Sequence, residues 1–343
     1  MSDVITTSLL ALSEGQALAE DKAYALMDAI MSGAVSPIQL AGALMALRVR
    51  GETIDELTGF ARAMRDHAIK IPVTRRPILD TCGTGGDRSF SFNVSTVAAF
   101  VVAGAGVAVA KHGNRSATSK SGSADLLEAL GVPISQDPIS VARSVDEIGF
   151  GFLFAQSVHT SMKYAAQTRR ELGVRTVFNV LGPLTNPVNP ERQLLGVFSP
   201  EWVAPMTEVL ARLGTDHALV VHGAGGLDEV SLSGPTVFGR VNQGQLTFGE
   251  ITPEQLGLPQ YPKEAILGGD PTVNAAICME VLNGRSGPHL DMVLANAGTA
   301  LFAARAVDTV RDGVELAREV VRLGRARQVL ERLSEPLVKV QEN

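Results

Sequence analysis

Hydrophobic residues in the first seventy positions recur at the spacing of helix faces. One apolar face comprises Ala23, Leu26, Met27, Ile30 and Met31. Two more helices are predicted to begin after Ser36-Pro37, an N-cap followed by proline, and at Thr53, which forms a capping-box pattern with Glu56. The pattern therefore predicts a helical domain over residues 1–72 that supports the rest of the chain, with a dimer surface as the alternative.

Beyond residue 73, short apolar runs alternate with helical segments. The strand-like runs cover residues 78–82, 107–110, 150–154, 194–198 and 218–222. A hairpin with Asn242-Gln243-Gly244 at its turn follows them. Strands that alternate with helices over short loops form a mostly parallel sheet with helices on both faces. We therefore predict an α/β protein: a small all-helical domain, joined by part of residues 159–187, and a large α/β domain over residues 73–343 with a mostly parallel central sheet flanked by helices.

Two neighbouring strand–turn–helix units have turns rich in glycine and small polar residues. The first turn is Gly83-Thr84-Gly85-Gly86-Asp87, and Asn93-Val94-Ser95-Thr96 opens the helix after it. The second apolar run ends at Ala110 and is followed by a polar loop, Lys111 to Ser123. Glycines let the backbone approach a ligand closely, and free N–H groups at a helix start attract an anion. Two such turns at one sheet edge predict a substrate with more than one phosphate group.

Composition and charge narrow the class of protein. Of 343 residues, 45% are apolar and 19% are charged, and the net charge is −6, which argues against a general nucleic-acid binder. Two cysteines, Cys82 and Cys278, are too few for a disulfide framework or a zinc site. Neither a basic leader nor an apolar run of transmembrane length is present. We therefore expect a soluble, cytoplasmic protein with no membrane partner.

A pair of carboxylates follows a glycine run at the end of the fifth strand-like segment. Adjacent carboxylates such as Asp228-Glu229 are costly to hold together without a cation. Mg²⁺ suits such a pair, because it binds through one or two carboxylates plus substrate phosphates and waters. The alternative is an acidic pair at a helix start. Other candidates also have plain structural interpretations: a turn-stabilising Asp87, a helix N-cap at Asn93, a solvated Lys111–Ser123 loop and a surface Arg169.

Taken together, these segments resemble those of the anthranilate phosphoribosyltransferases. The segments that carry the resemblance are Gly83 to Asp87, Asn93 to Thr96, Lys111 to Ser116, Arg175 to Asn179 through Asn186-Pro187, and Asp228-Glu229. They occur in order over nearly the whole chain. The resemblance implies an enzyme of tryptophan biosynthesis that transfers the 5-phosphoribosyl group of phosphoribosyl pyrophosphate to the amine of anthranilate. It also implies Mg²⁺ as the cofactor and a homodimer formed through the helical domain.

The same resemblance implies the site residues by matching motif positions. Phosphoribosyl pyrophosphate would be bound by Gly83, Gly86, Asp87, Ser91, Asn93, Val94, Ser95, Thr96, Lys111, His112, Gly113, Asn114, Arg115, Ser116, Ala117, Thr118, Ser119 and Ser123. Anthranilate would be bound by Gly83, Asn114, His159, Arg169 and Pro183, and magnesium by Ser95, Asp228 and Glu229. No acid or base is assigned, because an aromatic amine is already a nucleophile and the task is electrostatic and positional.

The departures from the family lie on the acceptor side. Gln156 stands where the family usually has proline, and Gln167-Thr168 stands where a small or apolar pair is usual. These positions leave open a paralogous phosphoribosyltransferase with another aromatic acceptor. A pyrimidine nucleoside phosphorylase is disfavoured because the 111–116 segment matches the transferase pattern. A non-enzymatic nucleic-acid-binding paralogue is expected to lose Asp228-Glu229 and gain basic patches, and this chain does neither.

Overall fold

The computed structural model describes residues 2–87, 89–116 and 120–335. Four helices open the chain, and strands and helices alternate after them. The helices are α1 (Ser2–Ser13), α2 (Glu20–Met31), α3 (Pro37–Arg50), α4 (Ile54–Asp66), α5 (Val94–Gly104), α6 (Ser123–Ala129), α7 (Pro138–Arg143), α8 (Ala155–Val158), α9 (Lys163–Leu172), α10 (Phe178–Leu181), α11 (Val203–Arg212), α12 (Pro253–Leu256), α13 (Pro271–Leu282), α14 (Pro288–Ala303), α15 (Val310–Arg322) and α16 (Arg325–Ser334). The strands are β1 (Ile78–Gly83), β2 (Ala108–Gly113), β3 (Phe150–Phe154), β4 (Arg192–Gly196), β5 (His217–Gly223), β6 (Thr236–Asn242) and β7 (Gln245–Ile251). Among the described helices, none is both long and apolar enough to cross a bilayer.

Capping boxes begin two of the first four helices: at Thr53, where the sequence predicts one, and at Ser36, where it predicts an N-cap followed by proline. Ser36 and Thr53 each accept a hydrogen bond from the backbone N–H three residues on. Glu56 Oε2 accepts a hydrogen bond from the backbone N–H of Thr53 at 2.9 Å. Its Oε1 accepts from the backbone N–H of Leu18, also at 2.9 Å. The buried Glu56 carboxylate therefore both caps α4 and fixes the loop between α1 and α2.

The segment around α9 and α10 shares an apolar core with the opening helices. Ala165, Val177 and Leu181 belong to the same buried cluster as Leu44 and Phe60. Arg65 Nε of α4 also donates to the carbonyl oxygen of Leu184, another residue of this cluster, at 2.7 Å. The opening helices together with α9 and α10 are called the helical layer below. Through α9 and α10 this layer lies against the carboxyl edge of the sheet and forms one wall of the cleft described below.

The central sheet has seven strands in the order β3-β2-β1-β4-β5-β6-β7. The first five are parallel, and β6 and β7 are antiparallel. The predicted mostly parallel sheet is confirmed. The predicted hairpin is also confirmed, because Asn242 pairs with Gln245 and the two turn residues, Gln243 and Gly244, have φ of 50° and 80°. Positive φ at both positions is the type I′ pattern that matches the strand twist.

The predicted bounds of two strands are wrong. The run predicted over 194–198 is β4, which lies two residues earlier at Arg192–Gly196. The sequence ends the second strand at Ala110, but β2 continues through Lys111 and His112, which pair with Phe152 and Leu153 of β3. Pairing with the neighbouring strand β3 keeps these two residues in the sheet although their side chains are polar. Within residues 159–187, a 3₁₀ turn over Thr160–Met162 directly precedes α9.

Candidate active site

A cleft of about 410 Å³ lies at the carboxyl edge of the sheet, beneath α9 and α10. Ligands in open α/β sheets bind at this edge. The structure brings together most of the predicted residues there: Gly83, Gly86, Asp87, Ser91, Asn93, Ser95, Lys111, His112, Gly113, Asn114, Arg115, Ser116, Ser123, Arg169, Pro183, Asp228 and Glu229. Ala117, Thr118 and Ser119 lie outside the described residues.

Three predicted residues do not line the cleft. Val94 and Thr96 are buried in the first turn of α5. His159 is also buried and lies behind the wall, with its ring centroid 5.0 Å from that of His112. Burial lowers the pKa of His112 to about 3 and that of His159 to about 4, so both rings are neutral.

The glycine turn allows an acidic side chain to lie against the end of β1. A Cβ at Gly83 would be 2.3 Å from Asp228 Oδ2, and the backbone N–H of Gly85 donates to the same oxygen at 2.8 Å. On the next strand, a Cβ at Gly196 would be 1.6 Å from the carbonyl oxygen of Asp228. Glycine is therefore required at two strand ends by the close approach of Asp228.

Asp228 and Glu229 lie in a bend after β5 and not at a helix start, so the alternative interpretation of this pair is wrong. Burial, and then the charge of Asp87, raise the pKa of Asp228 to about 7. Burial and the same neighbouring carboxylates raise the pKa of Glu229 well above its usual value. Buried, mutually repelling carboxylates are stabilised by a bound cation.

The residues of this cluster fit a magnesium ion. Ser95, Asp228 and Glu229 line the same cleft, and the oxygens of Ser91 and Glu229 are 3.5 Å apart. Within the described residues, no three His, Cys, Asp or Glu side chains form a ready-made metal site. Mg²⁺ does not need one, because it commonly keeps waters and binds one or two carboxylates together with substrate phosphates.

Lys111 is a buried cation rather than an exposed loop residue. Its Nζ donates to Ser95 Oγ at 3.1 Å and to the carbonyl oxygen of Thr81. Burial lowers its pKa, and the charge of the buried Asp80 opposes that shift. Lys111 thus holds the Ser95 hydroxyl from behind the cleft wall, and its positive charge acts on the site through a fixed hydrogen bond.

Arg115, which the family resemblance assigns to the donor, already forms ion pairs within the protein. Its Nη1 lies 2.8 Å from Asp125 Oδ1 and 2.6 Å from Glu128 Oε2, both on α6. A cation that the sequence analysis did not assign, Arg175, lines the cleft near the glycine turn. It donates to the carbonyl oxygen of Gly86, and its guanidinium lies 4.5 Å from the centre of the Phe198 ring. Because Arg175 follows a helix and no strand end, the strand–turn pattern did not single it out.

Side-chain hydrogen bonds fix the described residues on both sides of the 117–119 segment. Asn93 makes no capping bond to α5; its Nδ2 donates to the carbonyl oxygen of Ser121 at 3.0 Å, and its Oδ1 accepts from Asn274 at 2.9 Å. At the other end of the loop, Asp125 Oδ2 accepts from the N–H groups of Ser116 and Gly122 at 3.1 and 2.8 Å. The two polar turns are therefore fixed relative to each other.

Arg169 of the helical layer and Asn114, the residue after β2, line the remaining part of the cleft. Arg169 of α9 lines the cleft with its guanidinium 5.0 Å from the centre of the Phe178 ring. Asn114 Oδ1 accepts from the N–H of Arg115 at 2.8 Å and from Gln156 Nε2 at 3.3 Å. These two bonds orient Asn114 with its oxygen occupied, and no described residue accepts from its Nδ2. A guanidinium and an amide donor suit a ligand carboxylate.

Comparison with known proteins agrees with this architecture. Residues 7–68 match the helical bundle domain of a glycosyl transferase family, and residues 75–327 match the family's a/b domain. The anthranilate phosphoribosyltransferase of Symbiobacterium thermophilum is 53% identical over 94% of this chain and 95% of that protein. That of Moorella thermoacetica is 51% identical over 91% and 92% of the two chains.

Solved structures give the same result. The crystal structure of anthranilate phosphoribosyltransferase from Thermus thermophilus has a TM-score of 0.91, 49% identity, and coverage of 97% of this chain and 98% of that one. The Saccharomyces cerevisiae enzyme in complex with PRPP and Mg has a TM-score of 0.88, 29% identity and 97% coverage of both chains. With relatives of this identity over nearly its full length, the chain belongs to the anthranilate phosphoribosyltransferase family.

Proposed function

We propose that this cleft transfers the 5-phosphoribosyl group of phosphoribosyl pyrophosphate to the amine of anthranilate, as in the family to which the chain belongs. The products are N-(5-phosphoribosyl)anthranilate and pyrophosphate. The observation that carries the proposal is the placement of buried Asp228 and Glu229 against a glycine turn, in the same cleft as Arg169. A buried acidic pair suits a metal-bound, strongly anionic donor, and a facing guanidinium suits an acceptor carboxylate.

The chemistry requires charge stabilisation at both ends of the breaking bond. As the bond from the anomeric carbon to pyrophosphate breaks, positive charge grows on the sugar and negative charge on the leaving group. The amine nitrogen forms the new bond and then releases a proton. When bound, Mg²⁺ would neutralise the pyrophosphate, while loop N–H groups, Arg175 and hydroxyls such as Ser95 bind its oxygens. We assign no general base, because the aromatic amine is already a nucleophile.

The site assignments follow the two walls of the cleft. On the sheet side we assign the donor to Gly83, Gly86, Asp87, Ser91, Asn93, Ser95, residues 111–116 and Ser123, and magnesium to Ser95, Asp228 and Glu229. We assign the acceptor to Arg169 and Pro183 on the helical side, together with Asn114 and Gly83 at the facing strand ends. Val94, Thr96, residues 117–119 and His159 rest on the family resemblance alone.

We also propose a cytoplasmic homodimer formed through the helical domain, residues 1–72, with residues 73–343 as the catalytic domain. Ile38 and Val49 of α3 are 86% and 81% exposed, and Leu10 of α1 is 59% exposed. Large apolar side chains on neighbouring helices support a protein contact there. Sedimentation of the Ile38→Glu variant tests this: a monomer is expected, and an unchanged dimer would move the interface elsewhere.

The experiment that tests the function is the loss of anthranilate fluorescence on mixing with phosphoribosyl pyrophosphate and Mg²⁺. Arg169→Ala is expected to raise the KM for anthranilate and leave donor affinity unchanged. Arg170→Ala is the matched control, since Arg170 is the next residue on α9 and is exposed. No turnover in the wild type, with donor binding still measurable by calorimetry, would contradict anthranilate as the acceptor and favour another aromatic amine.

A further inference from the structure

A second pocket lies at the end of the sheet opposite the cleft. It has a volume of about 350 Å³ and lies between the start of β5, the β6–β7 turn and the end of α14. Its lining includes His217, Arg240, Asn242, Phe302, Arg305 and Asp308. Since β5 spans His217–Gly223, the pocket and the acidic pair lie at opposite ends of one strand, about 20 Å apart at 3.3 Å per residue. The proposed reaction uses none of these residues.

His217 fixes the position of Arg240. The Nδ1 of this buried histidine lies 2.8 Å from the carbonyl oxygen of Ala303, so Nδ1 carries the proton. Its Nε2 is then free to accept from Arg240 Nε, also at 2.8 Å. Burial lowers the pKa of His217, as do the neighbouring arginines, which keeps the ring neutral and able to accept.

The guanidinium of Arg240 is held on one edge and one face. Its Cζ lies 4.8 Å from the centre of the Phe302 ring. With the face covered and Nε–H bonded, the two Nη groups remain, and within the described residues neither has an acceptor or an acidic partner. A rigid fork with free donors is the geometry that binds planar or tetrahedral oxyanions.

Arg305 brings a second positive charge to the same pocket from a strained position. It has φ of 54° just after α14, where glycine is usual because other residues are destabilised there. Its side chain donates to Asn242 Oδ1. Its charge contributes, after burial, to lowering the pKa of Arg240, so the two guanidinium groups are close enough to repel each other. Asp308 also lines the pocket but forms no ion pair with either arginine in the described structure.

We propose that this pocket is a second ligand site, which binds the phosphate group of a small molecule between Arg240 and Arg305. Two guanidinium groups that line one pocket and form no ion pair in the described structure are stabilised by an anion that carries about two charges and accepts from both. Phosphate meets that requirement better than a carboxylate, because it offers oxygens in a tetrahedral arrangement.

Calorimetric titration of the full chain with inorganic phosphate tests the proposal. Because the cleft can also bind phosphate, the wild type and the pocket variants are titrated side by side, and the binding event that the variants change is assigned to the pocket. Such an event is expected in the wild type. Arg240→Gln and Arg305→Gly are each expected to weaken it at least tenfold. Arg285→Gln is the matched control, since Arg285 is an exposed arginine that pairs with Glu280 outside the pocket.

The Arg305→Gly variant separates folding from binding. Glycine accepts a φ of 54° without strain, so its Tm is expected to equal or exceed that of the wild type while phosphate binding is lost. Absence of a binding event in the wild type, or unchanged affinity in both variants, would overturn the proposal. A lower Tm of Arg305→Gly with intact binding would show instead that Arg305 fixes the hairpin turn, and would also overturn it.

Discussion

The two walls of the cleft are built differently. On the sheet side, the main chain of three strand ends approaches so closely that a single Cβ at Gly83 or Gly196 would overlap Asp228. The proposed acceptor wall consists instead of side chains that make one or two contacts each: Arg169 of the helical layer and Asn114 after β2. Backbone geometry therefore sets the proposed donor wall, whereas single substitutions can retune the acceptor wall. A fold of this kind can keep its phosphoribosyl chemistry while its acceptor changes.

The largest effect is expected on the sheet wall from Asp228→Asn. The change keeps the shape and removes the charge that a divalent cation needs, so the rate is expected to fall about 10²–10³-fold and to respond less to Mg²⁺. Initial rates over a magnesium titration measure this. Glu315→Gln is the control, because Glu315 is an exposed carboxylate on α15 that does not line the cleft. A variant that kept the wild-type magnesium response would remove Asp228 from the metal site.

The second effect tests one contact between the sheet and the segment before α9, the edge-to-face pair of His112 on β2 and His159. Both folded-state pKa values are lowered, so the unfolded chain binds more protons between about pH 4 and 6.5 and stability is lost as pH falls through that range. For His159 alone the loss is about 3 kcal/mol.

Urea unfolding at pH 7.5 and pH 5 measures this linkage. His159→Gln is expected to flatten the pH dependence, and His289→Gln, whose ring packs on Phe92 instead, is expected to keep it. An equal pH dependence in His159→Gln and the wild type would show that other groups unfold the protein in acid.

The third effect is expected from Gly196→Ala, again on the sheet wall. The new Cβ would lie 1.6 Å from the carbonyl oxygen of Asp228, so the backbone must shift, at a cost of about 1–3 kcal/mol of unfolding free energy. Gly42→Ala in α3, where a Cβ meets nothing within 4 Å, is the matched control and is expected to stabilise the chain. Urea midpoints compare the two, and equal midpoints would refute the importance of the close approach.

The sequence predicts the features of the sheet wall better than the contacts of charged side chains. Apolar runs and glycine turns are local signals, so they located the strands, the acidic pair and the common edge of the sheet. The partners of charged side chains are not local. Arg175 reaches Gly86 across 89 positions, and nothing in either segment indicates that contact. Arg115 is paired with α6 instead of facing outward for a ligand, and the ladder with β3 draws Lys111 into a strand.

The smallest effect is expected on the helical wall, from the departure at Gln156. Its Nε2 donates to Asn114 Oδ1 at 3.3 Å, a long bond to a residue that we assign to the acceptor. Removing one such bond in Gln156→Ala is expected to raise the KM for anthranilate about two- to fivefold with kcat and donor KM unchanged. The other departure supplies the control: Gln167 bonds only Glu171 on the same helix face in the described structure, so Gln167→Ala is expected to leave every constant unchanged. If Gln167→Ala shifted the acceptor KM and Gln156→Ala did not, Asn114 would not be oriented by Gln156, and the helical wall would be tuned through the position of α9 instead.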